Sequence, residues 1–323
     1  MFPGIDVSKG TLDLCMLYDG MEGRIKTKKI KNDRYATPAI FAWLRRQHCG
    51  PEDIHFVMEA TGVYHEQLAT ALHDAGGYVS LANPHRNRDF ARGMGILTKT
   101  DKVDAYMLAC YALLKNPHRW TPQPSEILYL RALLRRRDVL ASDVVREQNR
   151  MEKYQSTDTP AEVINSSQRM LHELRMEVKD TEKLIRNHIQ AHPELKRDYD
   201  LLTSIKSVGP QLGTHMLVVL RSHDFASADQ AASFPGVVPV EKRSGTSVRG
   251  QARMSKIGPP QLRVRLYLSA LCGKTHNPRM RNFYDQLCLR GKPKMVAIGA
   301  LMRKLVHWCY GVLNSGREFS LTG

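Results

Sequence analysis

The chain has 323 residues, 42% of them hydrophobic and 25% charged, an ordinary soluble balance and enough length for two domains with real cores. Its 48 Lys and Arg against 32 Asp and Glu leave a formal net charge of +16, which points to a polyanionic partner, nucleic acid before a membrane surface. Composition argues against a membrane-spanning or disulfide-framed secreted protein: no apolar run approaches the roughly 18–20 residues of a membrane span, MFPGIDVSKG lacks the regions of a signal peptide, and six scattered Cys without a CxxC fit core thiols in a reduced, cytosolic protein.

The first ~115 residues read as α/β. PGIDVSKGTLDLCMLYDG predicts a strand, a turn at Ser8–Gly10 and a second strand, and RIKTKKI a third. PAIFAWLRRQHC has helical period through positions 40, 41, 43 and 44. IHFVMEATG is a short apolar run bounded by loop residues, hence a buried strand. HEQLATALHDAGG predicts a helix ending on Gly76–Gly77, and GYVSLANP a strand closed by Asn83–Pro84. Strands alternating with helices imply a helix-covered sheet.

From about residue 100 the chain reads as helical. KTDKVDAYMLACYALL is amphipathic, and residues 125–155 and 161–190 predict two long helices separated by the polar break QSTDTPAEVINSS. Ile164, Leu171, Val178 and Ile185 recur at spacing seven with Leu174 between them, which suggests a helical hairpin or short coiled coil, although Ser167, Thr181 and His188 occupy its other seam. Residues 201–220 predict helix, tight turn at Val208–Gly209–Pro210, helix, either a phosphate-facing helical hairpin or an ordinary core turn. Residues 260–274 and 294–314 predict helices basic on one side and apolar on the other.

Charge is unevenly spread. Residues 244–323 hold 14 Lys and Arg but only Asp285 and Glu318, so +12 of the +16 lies in the last quarter, the pattern of a phosphate-binding face. That quarter opens with RSGTSVRGQARMSK, a loop-like stretch of hydroxyls, glycines and cations. Arg249, Arg253 and Lys256 are candidates to hold a phosphate. Among the hydroxyls, the residues alone do not rank Ser244, Thr246, Ser247 and Ser255.

Four acids sit where metal chemistry can use them. Asp6 follows Gly4–Ile5 in the first strand, Glu59 ends IHFVM, and Asp101 and Asp104 lie three apart on one helix face. A carboxylate at the end of a buried strand is costly unless paired or metal-bound. Hard oxygen donors from several elements suit Mg²⁺. Singly, each acid also reads as a turn or helix cap, Asp101 beside Thr100 above all. GIDVSKGTLDL alone also fits an actin-like ATPase opening, but no second phosphate loop accompanies it. Strand-Asp, strand-Glu and paired helix-Asp together suggest a ribonuclease-H-like nuclease core.

In that order, GIDVSKGTLDL, MEATGVYHEQLATALHDAG, Asn83–Pro84, LTKTDKVDAYMLA and SGTSVRGQARMSKIG resemble the DEDD-type transposases of bacterial insertion sequences, relatives of the Piv-type DNA invertases. The resemblance implies an α/β N-terminal ribonuclease-H/RuvC-like domain over 1–150, a coiled-coil segment over 151–196 and a mainly α-helical transposase domain over 197–323. It puts the family's Mg²⁺- or Mn²⁺-binding tetrad on Asp6, Glu59, Asp101 and Asp104, and its serine nucleophile on Ser244. By charge, Arg243 joins Arg249, Arg253 and Lys256 as a candidate nucleic-acid contact. The resemblance further implies a cytoplasmic recombinase acting on target and donor double-stranded DNA, guided by a structured non-coding bridge RNA, whose dimers assemble into tetramers with composite sites. A RuvC-like endonuclease using the acids alone, or a Piv-type invertase without an RNA guide, is the alternative.

Overall fold

Alternating strand and helix signals in the first third become an α/β unit in the computed structural model, which describes residues 1–60, 62–241, 243–244, 248–249 and 252–320. Two compact units form, Met1–Pro122 and Gln123–Gly323. The first is built on β1 (Phe2–Val7), β2 (Thr11–Leu17), β3 (Ile25–Lys31), α1 (Ala36–Arg45), β4 (His55–Glu59), α2 (Glu66–Asp74), β5 (Tyr78–Ala82), α3 (Pro84–Gly93) and α4 (Asp101–Lys115). The sheet order is β3-β2-β1-β4-β5, antiparallel through β3, β2 and β1 and parallel through β1, β4 and β5. The predicted turn after β1 is closed by Ser8, whose hydroxyl donates to the Thr11 carbonyl at 2.8 Å and accepts from the Thr11 N–H at 3.0 Å.

Period-two alternation sorts the sheet into two faces. Ile5, Val7, Leu12, Leu14, Met16, Phe56, Met58 and Val79 pack with Ile40, Trp43 and Leu44 of α1 and Leu68, Ala69 and Leu72 of α2. The opposite parity faces α4, where Val57 and Ala82 meet Leu108 and Ala112, and Leu17 meets Ala109 and Cys110. Gly4 lies on that face. A Cβ there would stand 2.1 Å from the Ala105 carbonyl oxygen and 2.4 Å from the Ala109 nitrogen, so the missing side chain lets α4 lie directly on β1. The Asn83–Pro84 pair, expected only to close a strand, starts α3: the Asn83 side chain accepts from the His85 and Arg86 N–H groups at 3.0 and 3.3 Å, and Pro84 occupies the first helical position.

The second unit begins with α5 (Ser125–Gln155) and α6 (Ala161–Ala191), the two predicted long helices, packed as a hairpin. The polar seam is as real as the apolar one. Ser167 and Thr181 are buried alongside Leu171 and Ile185, and the Ser167 hydroxyl donates to buried Glu147 of α5, which also accepts from Arg150 at 2.9 Å. A short polar residue is tolerated in a helical seam when a partner meets its hydrogen bond.

Then follow α7 (Pro193–Thr203), α8 (Pro210–Ser222), α9 (Ala228–Ser233), β6 (Pro239–Val240), β7 (Arg243–Ser244), β8 (Val248–Arg249), β9 (Arg253–Met254), α10 (Pro260–His276), α11 (Pro278–Leu289) and α12 (Lys294–Ser315). The expected tight turn before Pro210 separates α7 from α8, with Ile205 and Val208 in the core. Beneath these helices Asp138 of α5 accepts from His215 of α8 at 3.0 Å and from Arg265 of α10 at 2.5 Å, while Arg137 binds Glu182 of α6 at 2.8 Å. Burial works to raise the Asp138 carboxyl, but the His215 hydrogen bond and the His215, Arg265 and Arg137 charges outweigh it and hold the group below its usual range. Among the described helices α12 alone is long and apolar enough to cross a membrane. Its Ala297, Ile298, Leu301, Met302, Leu305, Val306, Cys309 and Val312 are core residues of the unit. Four of the six cysteines, Cys15, Cys49, Cys110 and Cys309, are buried free thiols.

Candidate active site

All four predicted acids fall in the first unit, and the sheet parity brings them together. Asp6 shares the α4-facing parity with Gly4, and Glu59 shares it with Val57. The parallel register pairs Gly4 with Val57 and Ile5 with Met58, which sets Asp6 and Glu59 at the same end of adjacent strands. The first turn of α4, held on β1 by the Gly4 contact, carries Asp101 and Asp104. Thr100, not Asp101, caps that helix, its hydroxyl accepting from the Val103 N–H at 3.3 Å. That leaves both aspartates free of the capping role while the N-terminal end of the helix dipole favours their charge.

The electrostatics report the convergence. Burial, and then the negative charges of Asp104, Asp101, Glu59 and Asp13, push the Asp6 carboxyl up to about 6. Asp104 is raised as well, chiefly by burial, with Lys99 opposing and Glu59 and Asp101 adding to the shift. A divalent cation among these groups would oppose the upward shifts by favouring the charged carboxylates.

Three neighbours escape a motif-led reading. Asp13 is the direct cross-strand partner of Asp6 and is buried at 5% exposure. Lys29 on β3 reaches Asp13 at 3.0 Å and Asp101 at 3.6 Å, an exposed cation beside the cluster. Asn87 on α3 donates its Nδ2 to Glu59 Oε2 at 3.3 Å, and its own Oδ1 is buried without a hydrogen-bond partner. Asp13 was readable from its distance to Asp6 across the Ser8–Gly10 turn. Asn87 was not, because α3 itself carried no clear apolar period.

The donor set suits a hard divalent cation: several carboxylates, an orphaned amide oxygen and no sulfur or imidazole among them. As they stand, no three His, Cys, Asp or Glu side chains among the described residues are close enough to enclose one.

Ser244 lies in the second unit, on β7. The stretch expected to be loop-like forms two short ribbons instead: Arg243 pairs with Arg249 and Ser244 with Val248, while Pro239 and Val240 pair with Met254 and Arg253. Thr246 and Ser247 lie outside the described residues. The base of this arm is laced down by backbone. Ser255 N–H donates to Val238 at 2.9 Å and Lys256 N–H to Gly236 at 3.0 Å. Gly236 and Gly258 both have positive φ, and a Cβ on either would meet backbone oxygen at 2.2 and 1.9 Å. Arg253 and Lys256 are exposed beside it.

Comparison with known proteins settles the family. Residues 3–156 match a family model of IS110-type DEDD transposases, described as "Transposase", and residues 199–285 match "Transposase IS116/IS110/IS902 family". The chain is 30% identical to the "Pilin gene-inverting protein" of Moraxella lacunata across 98% of its own length and 96% of that protein. The chain belongs to the IS110 family of insertion-element transposases. Its Moraxella bovis counterpart, of the same printed name, is 29% identical over the same shares. The "Insertion element IS110 uncharacterized 43.6 kDa protein" of Streptomyces coelicolor is 31% identical over 40% of this chain and 31% of that protein. The first IS110-family match spans β1 to α5 and so includes all four acids. The second ends within α11 and includes the serine ribbon.

Proposed function

We propose that this IS110-family transposase cuts and rejoins DNA through a covalent 5′-phosphoserine at Ser244, with a RuvC-like N-terminal domain whose Asp6, Glu59, Asp101 and Asp104 hold Mg²⁺ or Mn²⁺. Bound there, the metal would supply Lewis acidity to a phosphodiester oxygen and neutralise developing charge. The observation that carries the reading is the convergence of four carboxylates from β1, β4 and α4, where burial first and then the neighbouring negative charges lift Asp6 to about 6.

The serine completes the chemistry that rejoining needs. Ser244 Oγ attacks phosphorus, the bond to the 3′ oxygen breaks, and that oxygen leaves as a 3′ hydroxyl with the proton given up by the serine. A second 3′ hydroxyl then attacks the phosphoserine and restores the serine hydroxyl. One ester is exchanged for another at each step, so bond energy is conserved for resealing. Arg243, Arg249, Arg253 and Lys256 bind phosphate around the ribbon. The α5–α6 hairpin serves as the coiled-coil segment of a dimer that assembles into a tetramer. In the full reading a structured bridge RNA from the element pairs with target and donor DNA, and the enzyme works in the bacterial cytoplasm.

A second reading is favoured by one observation. Both full-length relatives bear the name of pilin gene-inverting proteins, whereas the insertion-element proteins align with 40% and 43% of the chain. It is a site-specific invertase that needs no guide RNA.

Incubating the protein with nicked duplex DNA and Mg²⁺, with and without RNA from the element's non-coding flank, tests both. The proposal expects an SDS-resistant protein–DNA adduct that requires the RNA and disappears in Ser244→Ala. An adduct without RNA supports the invertase. DNA cleavage by Ser244→Ala with no adduct reduces the protein to an acid-only endonuclease.

A further inference from the structure

Much of the cationic surplus after residue 243 is spent on the fold. Arg265 binds Asp138, and Arg303 binds Asp229 at 2.6 Å. Arg263 donates to the Pro235 and Gly258 carbonyls, and Arg279 to the Ser320 carbonyl. Lys274 sits over the Tyr284 ring. The turn between α11 and α12 differs. Residues 289–296, LRGKPKMV, are all exposed, and Arg290, Lys292 and Lys294 make no ion pair or side-chain hydrogen bond among the described residues. No Asp or Glu occurs anywhere from Gln286 to Arg317.

The same turn exposes large apolar groups. Leu289 is 87% exposed, Met295 64% and Val296 52%. Scattered exposed apolar residues are unremarkable, but three interleaved with three unpaired cations form one amphipathic patch. The turn is also stiff. Arg290 N–H bonds Gln286 at 3.1 Å, Gly291 N–H bonds Cys288 at 2.9 Å and Lys292 N–H bonds Leu287 at 3.0 Å. Gly291 takes the left-handed conformation at φ +76 and Pro293 precedes α12. Met280 and Tyr284 of α11 and Ala297, Ile298 and Leu301 of α12 anchor it to the core.

We propose that the α11–α12 turn is a duplex-DNA contact separate from the serine ribbon. Arg290, Lys292 and Lys294 lie along phosphates, and Leu289 presses as a wedge against a base step in the minor groove. The chemistry of the patch selects the ligand: unpaired cations match phosphates, and apolar wedges flanked by cations unstack deformable steps and bend B-form DNA. A-form RNA, with its deep narrow major groove and wide shallow minor groove, offers no equivalent slot for a leucine. The inference rests on the proposed function only in taking DNA as substrate.

The test uses the full chain in EDTA, so that binding is read without strand cleavage. Fluorescence anisotropy on a short duplex carrying 2-aminopurine at a TA step is followed across a salt series. Replacing Arg290, Lys292 and Lys294 together by Gln should weaken binding about tenfold or more near 0.1 M salt and lower the log–log salt slope by up to about 3. Leu289→Ala should keep affinity within about threefold and lose most of the 2-aminopurine enhancement. All four positions are exposed, so the melting temperature should not move. A triple variant with wild-type affinity and slope overturns the proposal, as does a loss seen on an RNA hairpin or anionic vesicles but not on duplex DNA. An unchanged 2-aminopurine signal in Leu289→Ala overturns the wedge. Because the readout needs neither metal nor Ser244, failure of the covalent chemistry and failure of this surface are separately visible.

Discussion

In Met1–Pro122 five carboxylates, Asp6, Asp13, Glu59, Asp101 and Asp104, gather at one sheet face, with Lys29, Lys99 and Arg88 as neighbouring cations. In Gln123–Gly323 the less exposed carboxylates are matched: Asp138 by His215 and Arg265, Glu147 by Ser167 and Arg150, Asp198 by Arg221 at 2.5 Å. What is left over there is positive. The contrast separates carboxylates matched by cations inside a fold from carboxylates that crowd one another. The carboxyl of Asp138 is held low and that of Asp6 is pushed up, although both are partly buried aspartates.

Four substitutions test the contrast between the two units. Asp138→Ala strands Arg265, which is already held low by burial, and should cost about 3–5 kcal/mol in urea unfolding of the second unit. Asp104→Ala should instead leave the melting temperature intact and slow strand joining by roughly 10²–10³-fold or more, measured as recombined product over time. Gly4→Ala drives a Cβ into the α4 backbone and should destabilise the first unit by about 2–3 kcal/mol, read as a lower urea midpoint, with joining lost in parallel because α4 carries two acids.

The smallest effect carries the opposite sign. Asp6 is raised from 3.8 to about 6, so its contribution is fully present below pH 3.8 and is lost as pH rises through 6. Asp6→Asn should therefore match the wild type near pH 3.5 and become the more stable protein by roughly 1 kcal/mol at pH 7.5 in EDTA, after allowance for solvent screening. A variant less stable at pH 7.5 would show that Asp6 is a satisfied structural aspartate like Asp138.

How much of this was legible in sequence depended on periodicity. Short apolar runs bounded by turn and loop residues gave the strands, and strand parity fixes Asp6 and Glu59 on one face. The spacing of Asp101 and Asp104 gave a shared helix face. Gly4 as the seat of α4 was invisible, since only the packed helix reveals the close approach. The helix α3 was missed because HRNRDFARG is almost wholly polar, so Asn87 beside Glu59 was missed with it. The ribbons around Ser244 were hidden by their length: strands of two residues have no period to read. Ser167 and Thr181 looked like breaks in the seam, and only the Glu147 contact explains why Ser167 is buried.

The proposed function makes the carboxylate surplus of the first unit a divalent-cation site. Electron paramagnetic resonance of added Mn²⁺ tests it most directly, with full-length protein and the Asp6→Asn, Asp104→Asn double variant side by side. The wild type should remove Mn²⁺ from the free-ion signal, and the double variant, folded and no less stable, should leave it in solution. Equal Mn²⁺ uptake by the two proteins would contradict it.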